Sequence, residues 1–143
     1  MSPRDSASRA NRDLTVADLM STALITAKPK DLILRAEEDM AVADIRHLPI
    51  VDDRNHLVGI VSNRDLLRAV GSGKRRLIGE VMTSKVRVVR PHTPAREAAQ
   101  LMISHKIGAL PVVGDEMELV GIITETDFLQ VAVRALGGTP IPR

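Results

Sequence analysis

The stretch DIRHLPIVDDRNHLVGIVSNRDLL, residues 44–67, occurs again in altered form as KIGALPVVGDEMELVGIITETDFL, residues 106–129. In each copy two short apolar runs flank a turn that contains Asp with Asn or Gly, a pattern typical of two paired strands. The second run leads directly into a helical pattern that begins at the motif S/T-x-x-D. The alignment extends without a gap over residues 16–70 and 78–132 at a constant offset of 62 positions, so the chain contains two repeats.

Each repeat predicts the same order of elements. A short helical segment, VADLM or IGEVM, opens the repeat, and a short strand, LITA or VRVV, follows it. Pro29 or Pro91 ends that strand, because proline has no backbone N–H to donate to a ladder. A helix, the strand pair and a second helix complete the unit. We expect Thr15 to cap the first short helix, and Thr93 and Pro94 to be the cap and first residue of the long helix in the second repeat.

This order predicts an α/β (α+β) fold of two tandem β-α-β-β-α units, packed face to face with pseudo-two-fold symmetry. One such unit, of about 55 residues, is only marginally stable alone, so we expect the two to share a core. The predicted boundaries are a polar N-terminal tail at 1–13, a first unit at 14–70, a basic linker at 71–77, a second unit at 78–134 and a C-terminal tail at 135–143.

Composition restricts the kind of core and the kind of ligand. Hydrophobic residues make up 44% of the 143, but only Phe128 is aromatic, so we expect an aliphatic core and no stacking platform for single-stranded nucleic acid. The absence of cysteine excludes disulfides, thiolate metal sites and cysteine nucleophiles. No apolar run approaches the ~18 residues of a membrane span, and the polar N-terminus lacks the apolar middle of a signal peptide. We therefore expect a cytoplasmic protein without membrane contact.

The motif S/T-x-x-D has two interpretations. In the first, Ser62 or Thr124 caps a helix and the aspartate three residues later, Asp65 or Asp127, completes a capping box. In the second, the hydroxyl binds a phosphate at the helix N-terminus and the carboxylate accepts the hydroxyls of a ribose, so that the motif holds a nucleotide. The residues alone leave both interpretations open, because the same side chains serve either role.

Signals for catalysis and for a metal are missing from the sequence. It contains no G-x-S-x-G, no Walker A loop and no G-x-G-x-x-G. No two of its four histidines have metal-ligand spacing. We therefore expect no catalytic residues, no metal and no required cofactor. The cations Lys74, Arg75 and Arg76 favour a solvated linker, with a nucleic-acid contact as the alternative.

The repeated pattern resembles the CBS domain in its tandem form, the Bateman module. The resemblance rests on VADLM with IGEVM and on the two long stretches quoted above, and it covers about residues 14–134. It implies units packed through their sheets, with two clefts that bind an adenosine-containing ligand: AMP, ADP, ATP, S-adenosylmethionine or NAD. It also implies a disc-like homodimer that regulates an unknown partner protein and has no enzyme activity. Because the predicted tails are short, we expect a stand-alone module.

Carried over position by position, the resemblance assigns the ribose to the motif aspartates. It assigns the phosphate to the motif hydroxyls and to the polar pair Arg46 and His47, which precedes the apolar run LPIV. It implies that the early strand of the other repeat completes each cleft. The predicted main site consists of Arg46, His47, Ser62, Arg64, Asp65, Thr83, Arg87 and Ile107. The predicted weaker site consists of Ile25, Ile45, Thr124 and Asp127.

The ranking of the two sites follows from charge. Arginines around Asp65 favour a phosphate, because charge-assisted bonds from guanidinium to phosphate are strong. The second copy has small neutral residues at 108–109 in place of the polar pair, and Glu125 within its motif repels an anion. The alternatives to a ligand-sensing module are a structural or dimerisation module in which the motif only caps helices, and a weakly nucleic-acid-associated protein.

Overall fold

The computed structural model describes residues 13–69 and 76–142. Most of the predicted N-terminal tail and of the basic linker, Lys74 and Arg75 included, lies outside these residues. No helix within the described ranges is both long enough and apolar enough to cross a bilayer. In chain order the elements are α1 (Val16–Leu19), α2 (Ile33–Ala43), β1 (His47–Val51), β2 (Leu57–Ser62), α3 (Asn63–Ala69), α4 (Ile78–Val81), α5 (Ala95–His105), β3 (Ala109–Val113), β4 (Leu119–Thr124) and α6 (Glu125–Ala135).

Each repeat contributes one two-stranded antiparallel sheet, β1 with β2 and β3 with β4. In the first sheet His47 faces Ser62 and Ile50 faces Gly59, and the register shifts between Ile50 and Val51. Burial alternates along β2, as expected for a strand with one face on the core. The mixture of helices with two small antiparallel sheets confirms the predicted fold class.

The strand predicted before each long helix is reduced to one bridge. Ala27 donates its N–H to the carbonyl of Pro49 (3.2 Å), and Val89 donates to the carbonyl of Pro111 (3.1 Å). Each contact is an isolated parallel bridge. The ladder stops there because a proline, Pro29 in the first repeat, follows two positions later and has no N–H to donate.

Two compact units form within the described residues, and they do not coincide with the repeats. Each unit contains the long helices and sheet of one repeat together with the opening helix of the other. Residues 23–69, 76–87 and 113–119 form one, here called the Asp65 unit, and residues 13–22, 88–112 and 120–142 form the other, here called the Asp127 unit.

The core of the Asp65 unit is aliphatic and includes the opening helix of the second repeat. Ile78 of α4 is fully buried. Its N–H donates to the carbonyl of Asp31 (2.8 Å), and the N–H of Gly79 donates to the carbonyl of Pro29 (3.0 Å), so the loop before α2 satisfies the free amides of α4. The other buried members of this core are Ala27, Ile33, Ala36, Met40, Leu48, Ile50, Val61, Leu66 and Ala69.

The Asp127 unit is built in the same way around the opening helix of the first repeat. Val16 of α1 is fully buried, and its N–H donates to the carbonyl of Thr93 (2.8 Å). Thr15 caps α1 as predicted, because its N–H donates to Asp18 Oδ2 (2.8 Å). The other buried members of this core are Val89, Ala98, Met102, Leu110, Val112 and Ile123, with Phe128 packed at its edge.

The predicted start of α5 was wrong by one residue. The helix begins at Ala95 with Pro94 as its N-cap, whereas Thr93 was expected to be the cap. The Thr93 hydroxyl instead accepts a hydrogen bond from the N–H of Arg90 (3.0 Å). Thr93 is held in the preceding loop because its carbonyl accepts the Val16 N–H.

The hairpin turns of the two repeats are hydrogen-bonded to each other within the Asp65 unit. Leu57 donates its N–H to the carbonyl of Met117 (3.0 Å), and Leu119 donates to the carbonyl of Asn55 (3.0 Å). The Asn55 side chain also donates to the carbonyl of Leu119 (3.0 Å). Both central residues are left-handed, Asn55 with φ of 65° and Met117 with φ of 66°. This contact explains why the second turn belongs to the Asp65 unit.

Candidate functional site

The first S/T-x-x-D motif forms a capping box at the junction of β2 and α3. Ser62 donates its N–H to Asp65 Oδ2 (2.8 Å), and the N–H of Asp65 donates to Ser62 Oγ (3.1 Å). The predicted capping box is therefore present in this copy. A carboxylate has two oxygens and about four lone-pair positions, so the capping bond to Oδ2 leaves Asp65 with further acceptor capacity.

The polar pair Arg46 and His47, at the start of β1, lies beside this capping box. His47 faces Ser62 in the sheet, and the carbonyl of Arg46 accepts a hydrogen bond from the N–H of Asn63 (2.8 Å). Arg46 and Arg64 are both exposed, and His47 is half-buried. The backbone positions of Arg46, His47 and Arg64 thus lie close to the motif, at one end of the first sheet.

Thr83 of the second repeat reaches the same end of β2. Its N–H donates to the carbonyl of Ile60 (2.9 Å), and its carbonyl accepts the Ile60 N–H (3.0 Å). This antiparallel bridge lies two residues before Ser62. Arg87 belongs to the same unit and is exposed, whereas Ile107 belongs to the Asp127 unit. The Asp65 unit therefore contains seven of the eight predicted main-site residues.

The second motif has the same local geometry with a more deeply buried acid. Thr124 donates its N–H to Asp127 Oδ2 (2.7 Å), and its hydroxyl lies 3.4 Å from the same oxygen. Asp127 is only 3% exposed, whereas Asp65 is half-buried. Ser21 forms an antiparallel bridge with Ile122 (2.9 and 3.0 Å), as Thr83 does with its partner strand.

A pocket of about 440 Å³ opens beside Asp127 within its own unit. Small-molecule sites span roughly 300–1,000 Å³, so this volume is sufficient for a nucleoside. Its wall combines carboxylates, a guanidinium, an amide, a hydroxyl and apolar groups. The lining residues are Asp18, Leu19, Met20, Ser21, Asp127, Gln130, Val131, Arg134, Pro140 and Ile141.

Sequence reasoning missed several members of this wall. Ser21 is the counterpart of Thr83 at the offset of 62, so the alignment of the repeats contained the signal for it. Gln130 and Arg134 follow Asp127 by three and seven positions, the spacing of one helix face. The wall thus includes the guanidinium group of Arg134, which the ranking of the two sites by charge did not take into account.

The other predicted residues of the second site lie elsewhere. Ile25 and Ile45 belong to the Asp65 unit, so neither unit alone contains the complete predicted set.

Glu125, expected to repel an anion, lines a different cavity and not the Asp127 pocket. That second cavity, of about 450 Å³, is an apolar groove between α5 and α6 lined by Ala99, Met102, Ile103, Lys106, Glu125, Phe128 and Leu129.

Shifted pKa values in the described residues occur at the first hairpin turn. The Asp52 carboxylate accepts hydrogen bonds from the backbone N–H groups of His56 and Arg54 (both 2.9 Å). These bonds, the one from His56 first, lower the pKa of Asp52. Lys28 and Asp53 form an exposed ion pair that raises the pKa of the lysine and lowers that of the aspartate. Because the turn lies at the far end of the first sheet from the motif, these shifts do not involve the candidate site.

Clusters suited to a metal ion do not occur in the parts of the chain that the structure describes. No group of three or more His, Asp or Glu side chains there has an arrangement that could hold a metal ion. The functional groups near Asp65 and Asp127 are instead hydroxyls, carboxylates and guanidinium groups. This chemistry is typical of a site for sugar hydroxyls and phosphate.

Comparison with known proteins agrees with the repeats. The pattern of the CBS domain matches residues 16–72 and 78–134. An L-aspartate semialdehyde sulfurtransferase of Methanocaldococcus jannaschii is 36% identical over 113 residues, which make up 79% of this chain and 22% of that protein. The chain spans about a fifth of the length of the first curated relatives it matches.

Two solved structures of similar proteins share the fold over nearly their whole length. The CBS domain pair of protein MJ0100, crystallised in complex with 5′-methylthioadenosine and S-adenosyl-L-methionine, has a TM-score of 0.78 and 34% identity, and the match covers 83% of this chain and 95% of that one. CBSX2 in complex with AMP has a TM-score of 0.77 and 31% identity, with 84% and 96% covered. Because both repeats match the family pattern and both structures match at this identity, the chain belongs to the CBS domain family.

Proposed function

We propose that this chain is a regulatory module that binds an adenosine-containing small molecule beside its S/T-x-x-D motifs. The observation that carries the proposal is the bridge between Thr83 and Ile60, which brings the second repeat to the strand that leads into Ser62 and Asp65. The complexes of related CBS pairs with AMP and with S-adenosyl-L-methionine support the ligand class. The ligand is a signal to be sensed, so no cofactor is required.

The Asp65 site has the groups that a nucleotide needs. The carboxylate of Asp65 keeps acceptor capacity for ribose hydroxyls after it has capped α3. The Ser62 hydroxyl and the exposed guanidinium groups of Arg46 and Arg64 are suited to a phosphate, since Arg–phosphate bonds are charge-assisted. We therefore keep this site as the main one for a phosphorylated ligand such as AMP, ADP or ATP.

The Asp127 site is proposed for a less anionic adenosine ligand. Its acid is almost completely buried, and a second carboxylate, Asp18, lines the same pocket. Arg134 offsets part of that negative charge. A nucleoside or S-adenosylmethionine suits this balance better than a triphosphate, because like charges repel a polyanion in the pocket.

The protein partners of the module are a second copy of this chain and a regulated protein of unknown identity. Both units expose apolar side chains on their helices: Val42 and Leu67 in the Asp65 unit, Ile103 and Leu129 in the Asp127 unit. Homodimers use the same patch on both subunits, and paired apolar helix faces suit such an interface. We keep the cytoplasm as the proposed location and a regulatory role in place of an enzymatic one.

Isothermal titration calorimetry tests the ligand directly. The purified chain is titrated with AMP, ADP, ATP, S-adenosyl-L-methionine and NAD, with GMP as the control for recognition of the base. We expect saturable binding of at least one adenosine compound and weaker binding of GMP. Thermal unfolding gives an independent readout, because a ligand at 100 times its Kd stabilises the fold by about 2.7 kcal/mol.

The capping boxes formed by both motifs define the competing function. If none of the five compounds binds at millimolar concentration, the motif only caps α3 and α6, and the chain is a structural or dimerisation module. If RNA or DNA binds with a steep dependence on salt and GMP binds as well as AMP, the nucleic-acid alternative replaces the proposal.

A further inference from the structure

The segment that follows α6 turns back along that helix and borders the Asp127 pocket. The turn begins at Gly137, whose φ of +89° lies in the left-handed region that glycine adopts readily. The N–H of Gly138 then donates to the carbonyl of Val133 (2.8 Å), which ends the helix and reverses the chain. At Ile141, six residues after the last helical residue Ala135, the chain has returned to the level of Gln130.

One glutamine fastens this returning segment. The side chain of Gln130 accepts the N–H of Ile141 through Oε1 (2.9 Å) and donates through Nε2 to the carbonyl of the same residue. Both backbone groups of Ile141 are therefore bonded to one amide. Such a two-point contact fixes the distance and the direction of the segment relative to α6.

The residues around Ile141 favour a single extended conformation. The sequence is TPIP, Thr139 to Pro142, so Ile141 stands between two prolines. Each proline fixes its own φ near −65° and restricts the residue before it to extended backbone. The segment thus loses little conformational entropy when it is ordered against another surface.

The pocket uses the inner side of this segment as part of its wall. Pro140 and Ile141 line the pocket together with Gln130 and Val131 of α6. Ile141 nevertheless remains 72% exposed. A ligand in the pocket would cover apolar surface that the protein alone leaves in contact with water, which favours contact between segment and ligand.

We propose that the segment Thr139–Pro142, latched to Gln130, is the outer wall of the Asp127 pocket and closes on the adenosine-containing ligand bound there. The inference deepens the proposed function and rests on it, because it requires a ligand at Asp127. Binding raises the population of the latched conformation, and by linkage the latched conformation strengthens binding by the same factor. The conformation of the segment beyond α6 thereby depends on whether the pocket is occupied. A regulated protein that contacts this segment responds to the ligand.

Two variants loosen the wall in different ways. Gln130→Ala removes both latch bonds, and Pro142→Gly frees the backbone without changing a residue that lines the pocket. Gln100→Ala, at an exposed position of α5, is the matched control for loss of a glutamine. All three are made in the Asp65→Ala background, so that the Asp127 pocket is measured alone, and the probes are AMP and S-adenosyl-L-methionine.

Calorimetry and hydrogen exchange provide the two readouts. We expect Gln130→Ala and Pro142→Gly to weaken binding on the order of 3- to 10-fold, since each exposed latch bond contributes modestly. Gln100→Ala leaves the affinity unchanged. The probe slows exchange of the Ile141 amide in the Asp65→Ala chain, and it slows that exchange much less in the two loosened variants.

Equal or tighter binding by both loosened variants overturns the proposal, as does Ile141 exchange that the probe leaves unchanged. Absence of any binding in the Asp65→Ala background also overturns it, because a wall then has no ligand to close on. The same titrations of Asp127→Ala measure the Asp65 site separately. If that site binds while the Asp127 pocket does not, the proposed function survives and only the wall is rejected.

Discussion

Met82 packs against Gly59 so closely that a β-carbon on the glycine would lie 2.6 Å from the Met82 sulfur. The carbonyl oxygen of Thr83 would be 3.0 Å from the same β-carbon. Gly121 and Met20 repeat the relationship in the other unit, again at 2.6 Å. The glycine of LVGIV and LVGII therefore lets the opening helix of one repeat approach the strand of the other, which is what positions Thr83 beside the motif.

Gly59→Ala is expected to destabilise the Asp65 unit by about 1–3 kcal/mol, the usual cost of overpacking a tight contact. The added methyl group must displace the Met82 side chain and presses on the Thr83 carbonyl, so ligand binding at Asp65 falls as well. Urea denaturation measures the loss. The double variant with Met82→Ala restores space, so its loss should be smaller than the sum of the two single losses. Additive losses would show that the contact does not limit the packing.

The sequence was sufficient for the strand pairs and long helices because their apolar spacing is strong and occurs twice. It did not reveal that Ile78 of the second repeat is buried in the core of the Asp65 unit, or that Val16 of the first repeat is buried in the core of the Asp127 unit. Periodicity predicts which face of a helix is buried but not which repeat covers that face. Thr83 was predicted only through the family resemblance. Arg134 lies on the same face of α6 as Asp127. The spacing of the helix did not indicate that a pocket lies beside this face.

Asp65→Asn separates capping from ligand binding. The amide oxygen still accepts the Ser62 N–H, so we expect stability to change by less than about 1 kcal/mol. A neutral amide binds ribose hydroxyls less well than a carboxylate, so affinity at this site should fall roughly 10- to 100-fold. Calorimetry with the best-binding adenosine compound measures the affinity, and thermal unfolding measures the stability.

Asp127→Asn is the matched variant in the other repeat. If the Asp65 site is the main one, Asp127→Asn lowers total binding of a phosphorylated ligand less than Asp65→Asn does. The reverse order would show that the ranking by charge is wrong. Equal affinity in the wild type and in Asp65→Asn would show that the carboxylate serves only as a cap.

Met117→Asn is expected to stabilise the protein. Met117 has φ of 66°, a left-handed conformation that costs roughly 1–2 kcal/mol for most side chains and less for Asn. Its counterpart in the first repeat is Asn55, which has the same conformation. We expect the free energy of unfolding to rise by about 0.5–1 kcal/mol, measured in urea.

Asn55→Met is the reciprocal control. It places the unfavourable side chain in the first turn and also removes the hydrogen bond from Asn55 Nδ2 to Leu119. The loss should therefore exceed the gain from Met117→Asn. If Met117→Asn leaves the unfolding midpoint unchanged, the backbone at this turn is not under strain.

The Asp52 carboxylate makes stability depend on pH at the acidic end. Because its pKa is lower in the folded chain than its ordinary value, its contribution is present above the ordinary Asp pKa of about 3.9 and is lost as the pH falls through the folded pKa. Thermal unfolding at neutral pH should find Asp52→Asn less stable than the wild type. The difference should shrink as the pH is lowered below about 4. Asp115→Asn, in the exposed second turn, should show no such convergence.

If the exposed apolar side chains of α5 and α6 form the dimer interface, glutamates introduced among them should weaken self-association. Ile103 is 79% exposed and Leu129 63% exposed, so Ile103→Glu with Leu129→Glu removes little core packing. Buried in a dimer, the two glutamates would be unpaired charges, and we expect the dissociation constant of the dimer to rise at least about tenfold. Sedimentation equilibrium measures it, with Ser104→Glu on the same helix as a control for added charge alone. A wild-type chain that is monomeric at every concentration, or a double variant that dimerises as well as the wild type, would assign these faces to another partner.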